Sequence, residues 1–270
     1  MRRQTGEIQK AFDTARSEGR AALVIYTTGG HPTIREGLET LLTLADAGAD
    51  VIELGIPFSD PLADGPTIQK SSFEAIEQGV DLSCCLALLR QFREQRETPI
   101  VLFSYLNPIM DYGVDRFLAD AVDAGADGLL LTDLPVDADS ALERKIESSP
   151  LDLVRLIAPT TTPERAKHIA SRSQGFAYYI SRTGVTGAGH SLSAGLSSEV
   201  TALRSVAQLP VAVGFGISTP EQAATVAAVA DGVIVGSAVV AVLATEGVAA
   251  AGELVRSLRE GVESVAVVGK

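Results

Sequence analysis

The chain has 270 residues, 46% of them hydrophobic, and 22 basic against 34 acidic side chains give it a formal net charge of −12. That length fits one large α/β domain or two small ones, while the acidic balance and the lack of any Lys/Arg run argue against nucleic acid or an anionic membrane as partner. Only two cysteines occur, adjacent at Cys84 and Cys85; neighbours on one helix are poorly placed to pair, so a reducing cytoplasmic setting is expected.

From the start of the chain, MRRQTGEIQKAFDTARSEGR lacks the apolar core of an export signal, so none is expected; residues 5–18 read as a helix. Eight short apolar runs then recur: ALVIYT (22–27), VIELGI (51–56), IVLFSY (100–105), GLLLTD (128–133), LVRLIA (153–158), FAYYIS (176–181), VAVGFG (211–216) and GVIVGS (232–237). Most are continuous rather than alternating, as parallel strands buried on both faces require. Between them lie amphipathic helical segments such as 33–48 and 113–125. Thr162-Pro163 and Thr219-Pro220 read as a capping residue followed by proline at the first helical position, and Gly48 and Gly125 as helix stops. The tetrapeptide AGAD recurs before the second and fourth strands (47–50 and 124–127), as a repeated corner would. The longest apolar stretch, 232–244, falls short of the roughly 20 residues a spanning helix needs.

Eight β-α units of even size predict a single-domain (β/α)8 TIM barrel over residues 1–270, with an extra N-terminal helix, a barrel core over about 20–245 and a helical tail at 246–270. An open doubly wound sheet is the competing architecture, but no strand leads into GxGxxG and no domain break interrupts the units.

In a TIM barrel the chemistry sits at the C-terminal strand ends and in the loops that follow. Three consecutive ends are glycine-rich: SRTGVTGAG (181–189), GFGIS (214–218) and VGSA (235–238). Glycines let backbone N–H groups approach an anion, and a helix start adds partial positive charge, so a phosphate cradle is expected here rather than tight turns alone. Glu53 interrupts the second strand on the same face as Val51 and Gly55; if that face lines the barrel, burial raises its pKa and makes it a proton shuttle. The plainer alternative is a structural salt bridge, yet this strand carries no Lys or Arg. Asp64 follows on a loop stiffened by Pro57, Pro61 and Pro66, which suits a carboxylate held in place, although a solvated loop aspartate would look the same. Asp60 reads as a loop or interface residue. No HExxH or CxxC pattern occurs and His31, His168 and His190 are scattered, so no metal is expected. The residues thus point to acid–base chemistry on a phosphorylated small molecule, without naming it.

ELGIPFSDPLADGPTIQ (53–69), with SRTGVTG (181–187), GFGIS and VGSA, resembles the tryptophan synthase α subunit family, in order and spacing, from about residue 7 to residue 245. The resemblance implies retro-aldol cleavage of indole-3-glycerol phosphate to indole and glyceraldehyde 3-phosphate. It makes Glu53 the general acid and base and Asp64 the partner of the indole N–H. By position, the phosphate would lie against Gly187, Gly214, Gly216, Gly236 and Ser237. The indole ring would lie among Tyr26, Phe103, Leu130, Phe215 and Ile234, with Tyr178 beside Glu53, although ordinary barrel filling would account for each apolar residue as well. Thr186 resembles the residue that closes onto Asp64, and Tyr105 and Asp133 resemble residues that support the site from behind. The resemblance also implies a β subunit that carries pyridoxal phosphate, no cofactor in this chain, and an interface including Pro57, Asp60, Asn107 and Pro108. Three departures, Tyr26, Gly29 and His31, bear on the wall of the indole pocket. A stand-alone lyase releasing free indole, a weakly active subunit that mainly activates the β chain, and another phosphate-binding barrel such as an isomerase remain alternatives.

Overall fold

Eight parallel strands close on themselves in the order of the chain, so that each pairs with its sequence neighbours and the eighth returns to the first. The computed structural model describes residues 6–181, 195–214 and 216–265. In the first half, helix α1 (Glu7–Ser17) leads into β1 (Ala22–Thr28), α2 (Gly37–Asp46), β2 (Val51–Gly55), α3 (Pro66–Glu77) and α4 (Leu82–Arg93). Then come β3 (Ile100–Ser104), α5 (Leu106–Tyr112), α6 (Val114–Ala124) and β4 (Gly128–Leu131). In the second half, α7 (Ser140–Glu147), β5 (Asp152–Ile157), α8 (Pro163–Ser171), β6 (Ala177–Ile180) and α9 (Leu196–Val206) are followed by β7 (Val211–Gly214), α10 (Pro220–Ala227) and β8 (Gly232–Val235). Helices α11 (Ser237–Glu246) and α12 (Val248–Glu263) complete it, α12 packing against α10, α11 and α2.

The expected punctuation operates locally. Thr162 and Thr219 cap α8 and α10 with proline at the first turn, and Gln222 completes a capping box with Thr219. Gly48 and Gly125 adopt φ of +107° and +92°, the left-handed conformation that ends a helix. The segment read as helical from residue 33 becomes helix only at Gly37; Thr33 to Glu36 form a turn, with Glu36 N–H donating to Thr33 at 3.1 Å.

Strand alternation sorts the core in two. One set of side chains, including Leu23, Ile52, Leu102 and Leu129, packs outward against the helices. The other, including Val24, Val51, Val101, Leu130, Val154 and Ala212, fills the barrel, and α1 adds Ile8 and Phe12 to it. Glycines at the starts of two strands admit this plug: a Cβ on Gly128 would lie 2.8 Å from Ile8, and one on Gly232 would lie 2.7 Å from Phe12. The N-terminal helix is therefore the floor of the barrel.

A repeat runs around the same floor. A side chain shortly before each even-numbered strand, immediately before it in three cases and three residues before it in the fourth, accepts from a backbone N–H at the start of the odd-numbered strand that precedes it. Asp50 takes Leu23 N–H at 2.7 Å, Asp127 takes Ile100 at 2.8 Å, Gln174 takes Leu153 at 3.0 Å and Asp231 takes Val211 at 2.9 Å. Each aspartate is also paired with an arginine: Asp50 with Arg20, Asp127 with Arg93, Asp231 with Arg204. The AGAD corner is the visible part of this device.

Candidate active site

The open end of the barrel holds a cavity of about 790 Å³. Parallel register places Glu53 beside Tyr26 on β1 and Val101 on β3, facing inward as alternation predicts. Its side chain is 1% exposed, and its Oε1 finds no hydrogen-bond partner among the described residues. No ion pair to it is present there either, so nothing among the described residues supports the salt-bridge reading. Burial alone raises its pKa to about 8. At neutral pH Glu53 is a buried, neutral acid.

Asp64 approaches the same cavity from the loop between β2 and α3. The Tyr105 hydroxyl donates to its Oδ2 at 3.0 Å and accepts from Ala63 N–H at 2.9 Å. Gln69, in the first turn of α3, donates to the Asp64 carbonyl at 2.9 Å. Burial raises the carboxyl to about 6, against the opposing pull of the Tyr105 bond. Between about pH 6 and 8 the cavity thus holds one protonated and one ionised carboxyl.

Tyr26, Phe103, Tyr178 and Ile234 line the cavity with these acids. Tyr26 meets Phe103 edge to face at 5.2 Å between ring centroids. Two glycines give the tyrosines room: a Cβ on Gly55 would sit 2.2 Å from the Tyr26 hydroxyl, and one on Gly214 would sit 2.5 Å from that of Tyr178. Gly214 therefore does not line the cavity as a phosphate contact; its role is to seat Tyr178. Leu130 also lies below the cavity, fully buried in the barrel filling. The inward position two residues on, Thr132, is the one that reaches the wall.

Gly216, Gly236 and Ser237 do line the cavity, where α11 begins. The first N–H groups of a helix have no intrahelical partner, so this end of the cavity suits an anion, and no basic side chain lines the cavity among the described residues. Gly216, at φ +79°, holds a conformation that side chains rarely adopt. Thr186, Gly187 and Phe215 lie outside the described residues.

Asp133 supports the site through the backbone. It accepts from Leu106 N–H at 2.8 Å and so fixes the start of α5 next to Tyr105. Asp60 and Asn107 are exposed and Pro108 is partly so, whereas Pro57 is buried and shapes the loop from beneath. Neither His31 nor Gly29 lines the cavity. His31 is buried 3.5 Å from the Glu74 carboxylate, and a Cβ on Gly29 would strike Cys85 Sγ at 2.6 Å. Of the three departures only Tyr26 touches the pocket. The residue reading missed Thr132, Leu156 and Ile180; stepping two along each strand from Leu130, Val154 and Tyr178 would have found them.

Two carboxyls raised by burial thus share one barrel-mouth cavity with a helix start, a constellation suited to acid–base chemistry on an anionic substrate and typical of barrel enzymes. A family model described as the tryptophan synthase alpha chain matches residues 12–266. The tryptophan synthase alpha chain of Methylibium petroleiphilum is 42% identical over 262 residues, covering 95% of this chain and 96% of that one. That of Citrifermentans bemidjiense is 48% identical over 233 residues, or 86% and 87% of the two chains. A solved structure of Mycobacterium tuberculosis tryptophan synthase superposes with a TM-score of 0.88 at 37% identity, covering 96% of this chain and 99% of that one. The chain belongs to the tryptophan synthase alpha chain family.

Proposed function

We propose that Glu53 and Asp64 carry out the α reaction of tryptophan synthase in this chain. That reaction is the retro-aldol cleavage of indole-3-glycerol phosphate to indole and D-glyceraldehyde 3-phosphate in L-tryptophan biosynthesis. The observation that supports these roles is the pair of carboxyls in one cavity, held on opposite sides of neutrality by burial.

Protonated Glu53 delivers its proton to indole C3, and the ring nitrogen takes up the positive charge. Ionised Asp64, held by Tyr105, accepts a hydrogen bond from the indole N–H and stabilises that charge. The Glu53 carboxylate then removes the proton of the C3′ hydroxyl. The C3′–O bond becomes a carbonyl, the C3–C3′ bond breaks, and its electron pair returns to the ring to neutralise the nitrogen. Glu53 ends protonated, as it began. The phosphate rests on the start of α11 through Gly236 and Ser237, together with Gly216. Tyr26, Phe103 and Ile234 flank the ring, with Tyr178 beside Glu53.

The partner is a tryptophan synthase β subunit that holds the pyridoxal phosphate, in an α2β2 assembly in the cytoplasm. The loop that carries Asp64 presents Asp60 and the 92% exposed Leu62, and α5 presents Asn107 and the 60% exposed Met110. Apolar side chains left this open are a ready docking face. A partner seated there would bear on the Asp64 loop and couple the two sites. The test is indole release from indole-3-glycerol phosphate by the purified chain with and without a β subunit. Slow release that rises strongly with the partner is expected. Fast release alone would make this a free-standing lyase, and no release in either condition would overturn the assignment of substrate.

A further inference from the structure

Behind the Asp64 loop lies a chain of buried hydroxyls that the reaction as written does not use. Tyr26, Thr28 and Ser71 are 5%, 1% and 1% exposed. The Tyr26 hydroxyl lies 3.4 Å from Thr28 Oγ1, Thr28 Oγ1 lies 2.6 Å from Ser71 Oγ, and Ser71 Oγ donates to the Ile68 carbonyl at 2.9 Å. A hydroxyl has one proton to give. Since Ser71 spends its proton on Ile68, Thr28 donates to Ser71 and Tyr26 donates to Thr28. The chain therefore has one direction, from the barrel wall into the first turns of α3.

That helix follows Asp64 after only Gly65. Ile68, which receives the last bond, lines the cavity, and the next residue, Gln69, clamps the Asp64 carbonyl. Tyr26 itself leans over Gly55, where only a glycine leaves space for its hydroxyl. The field of Asp64 reaches that hydroxyl and helps to keep it protonated, second to burial. A phenylalanine ring would line the pocket equally well but could not start the chain.

We propose that Tyr26 is a positioning residue for Asp64: through Thr28 and Ser71 its hydroxyl fixes the start of α3, and with it the carboxylate that meets the indole N–H. This deepens the functional reading above and rests on it. The link of 3.4 Å is long for O–H···O and the link of 2.6 Å is short. Removal of the Ser71 or Thr28 hydroxyl should therefore cost more than removal of the Tyr26 hydroxyl.

The test compares Tyr26→Phe, Ser71→Ala, Thr28→Val and the double variant Tyr26→Phe/Ser71→Ala, with Thr28→Ser as the variant that keeps its hydroxyl. Expected are kcat losses of about 3-fold for Tyr26→Phe and about 10-fold for Ser71→Ala and Thr28→Val, with KM changed less than about 2-fold. The double variant should be no worse than Ser71→Ala, because both changes cut one chain, and Thr28→Ser should keep near-normal kcat. Losses that multiply in the double variant, a raised KM at unchanged kcat, or no loss at all would overturn the proposal. A second readout needs no substrate: the carbon-13 carboxyl signal of Asp64, titrated in the unliganded protein. Freed from its buried setting, Asp64 should titrate lower in Ser71→Ala than in the parent; an unchanged midpoint would overturn the proposal even if indole-3-glycerol phosphate were not the substrate. Inactivity of the parent chain, by contrast, would sink the functional reading alone.

Discussion

The two mouths of this barrel treat the same residue types in opposite ways. At the closed end Asp50 meets Arg20 at 2.7 Å and Arg259 at 3.1 Å, Asp127 meets Arg93 at 2.6 Å, and Asp231 meets Arg204 at 3.0 Å. Each of these acids also accepts a strand N–H, so each charge is both paired and hydrogen-bonded, as burial demands. At the open end Glu53 is buried with no cation beside it among the described residues, and Asp64 has a tyrosine in place of one. The closed end spends its polar groups on holding strands in register; at the open end the carboxyls have no cation among the described residues, which suits the proton transfers proposed for them. Asp152 is the exception below: half-buried near Asp127, it is raised to about 6 by burial first and by that neighbour second.

The largest effect should follow from removing the unpaired acid. Glu53→Gln keeps the shape and should lower kcat by at least 10²-fold, as expected for loss of positioned acid–base catalysis. Binding of a non-cleavable substrate analogue should stay nearly intact. Near-normal turnover would remove Glu53 from the mechanism. The matching change below, Asp127→Ala, takes a carboxylate from a mostly buried arginine and an acceptor from Ile100 N–H. It should cost about 3 kcal/mol of unfolding free energy in a denaturant titration, with kcat near normal at temperatures where the variant is folded. A loss of kcat without loss of stability would contradict the division between the two ends.

The same comparison has a pH signature. Glu53 titrates near 8 in the folded chain, above its ordinary 4.5, so the folded state holds a proton that the unfolded chain releases first. Its contribution to stability is therefore fully present below pH 4.5 and is lost as pH rises towards 8, at about 1.4 kcal/mol per pH unit. Glu53→Gln should abolish that part of the decline, so its melting temperature should exceed that of the parent above pH 8. Equal melting temperatures there would show that Glu53 is not buried as an unpaired acid. In the parent, kcat/KM should be bell-shaped, rising as Asp64 ionises near 6 and falling as Glu53 ionises near 8.

The closed end was the harder half to read from sequence. Eight apolar runs announce eight strands, and each observed strand lies within a residue of its run at the start, because parallel strands leave a continuous hydrophobic signal. Glu53 stood out as the one charge in its run, and two of the glycine-rich ends supplied residues that line the cavity, Gly216 from one and Gly236 and Ser237 from the other. The fourfold pairing of side-chain oxygen to strand N–H showed only as the AGAD repeat, since Gln174 and Asp231 stand in different local words. The floor built by Ile8 and Phe12 gave no sign, because the glycines that admit it look like ordinary turn residues. Depth was equally hidden: alternation names the inward face of a strand but not its height, which is why Leu130 fell below the cavity and Thr132 reached it.

The smallest effect worth measuring lies on the boundary between paired and unpaired acids, at Tyr105. Its hydroxyl gives Asp64 the only side-chain donor that the carboxylate has among the described residues. That bond favours the ionised form and so opposes the upward push of burial. Tyr105→Phe keeps the ring against Phe58 while removing the donor, and also leaves Ala63 N–H without its acceptor. The Asp64 carboxyl should then titrate above 6, moving the acid limb of kcat/KM to higher pH, with a loss of about 1 kcal/mol in transition-state stabilisation at pH 7. Tyr26→Phe should move the same limb the other way, because it loosens the loop into water instead of removing a donor from a loop still buried. Opposite shifts from two tyrosine-to-phenylalanine changes would separate holding the carboxylate from placing it; parallel shifts would mean that both tyrosines act on Asp64 in one way.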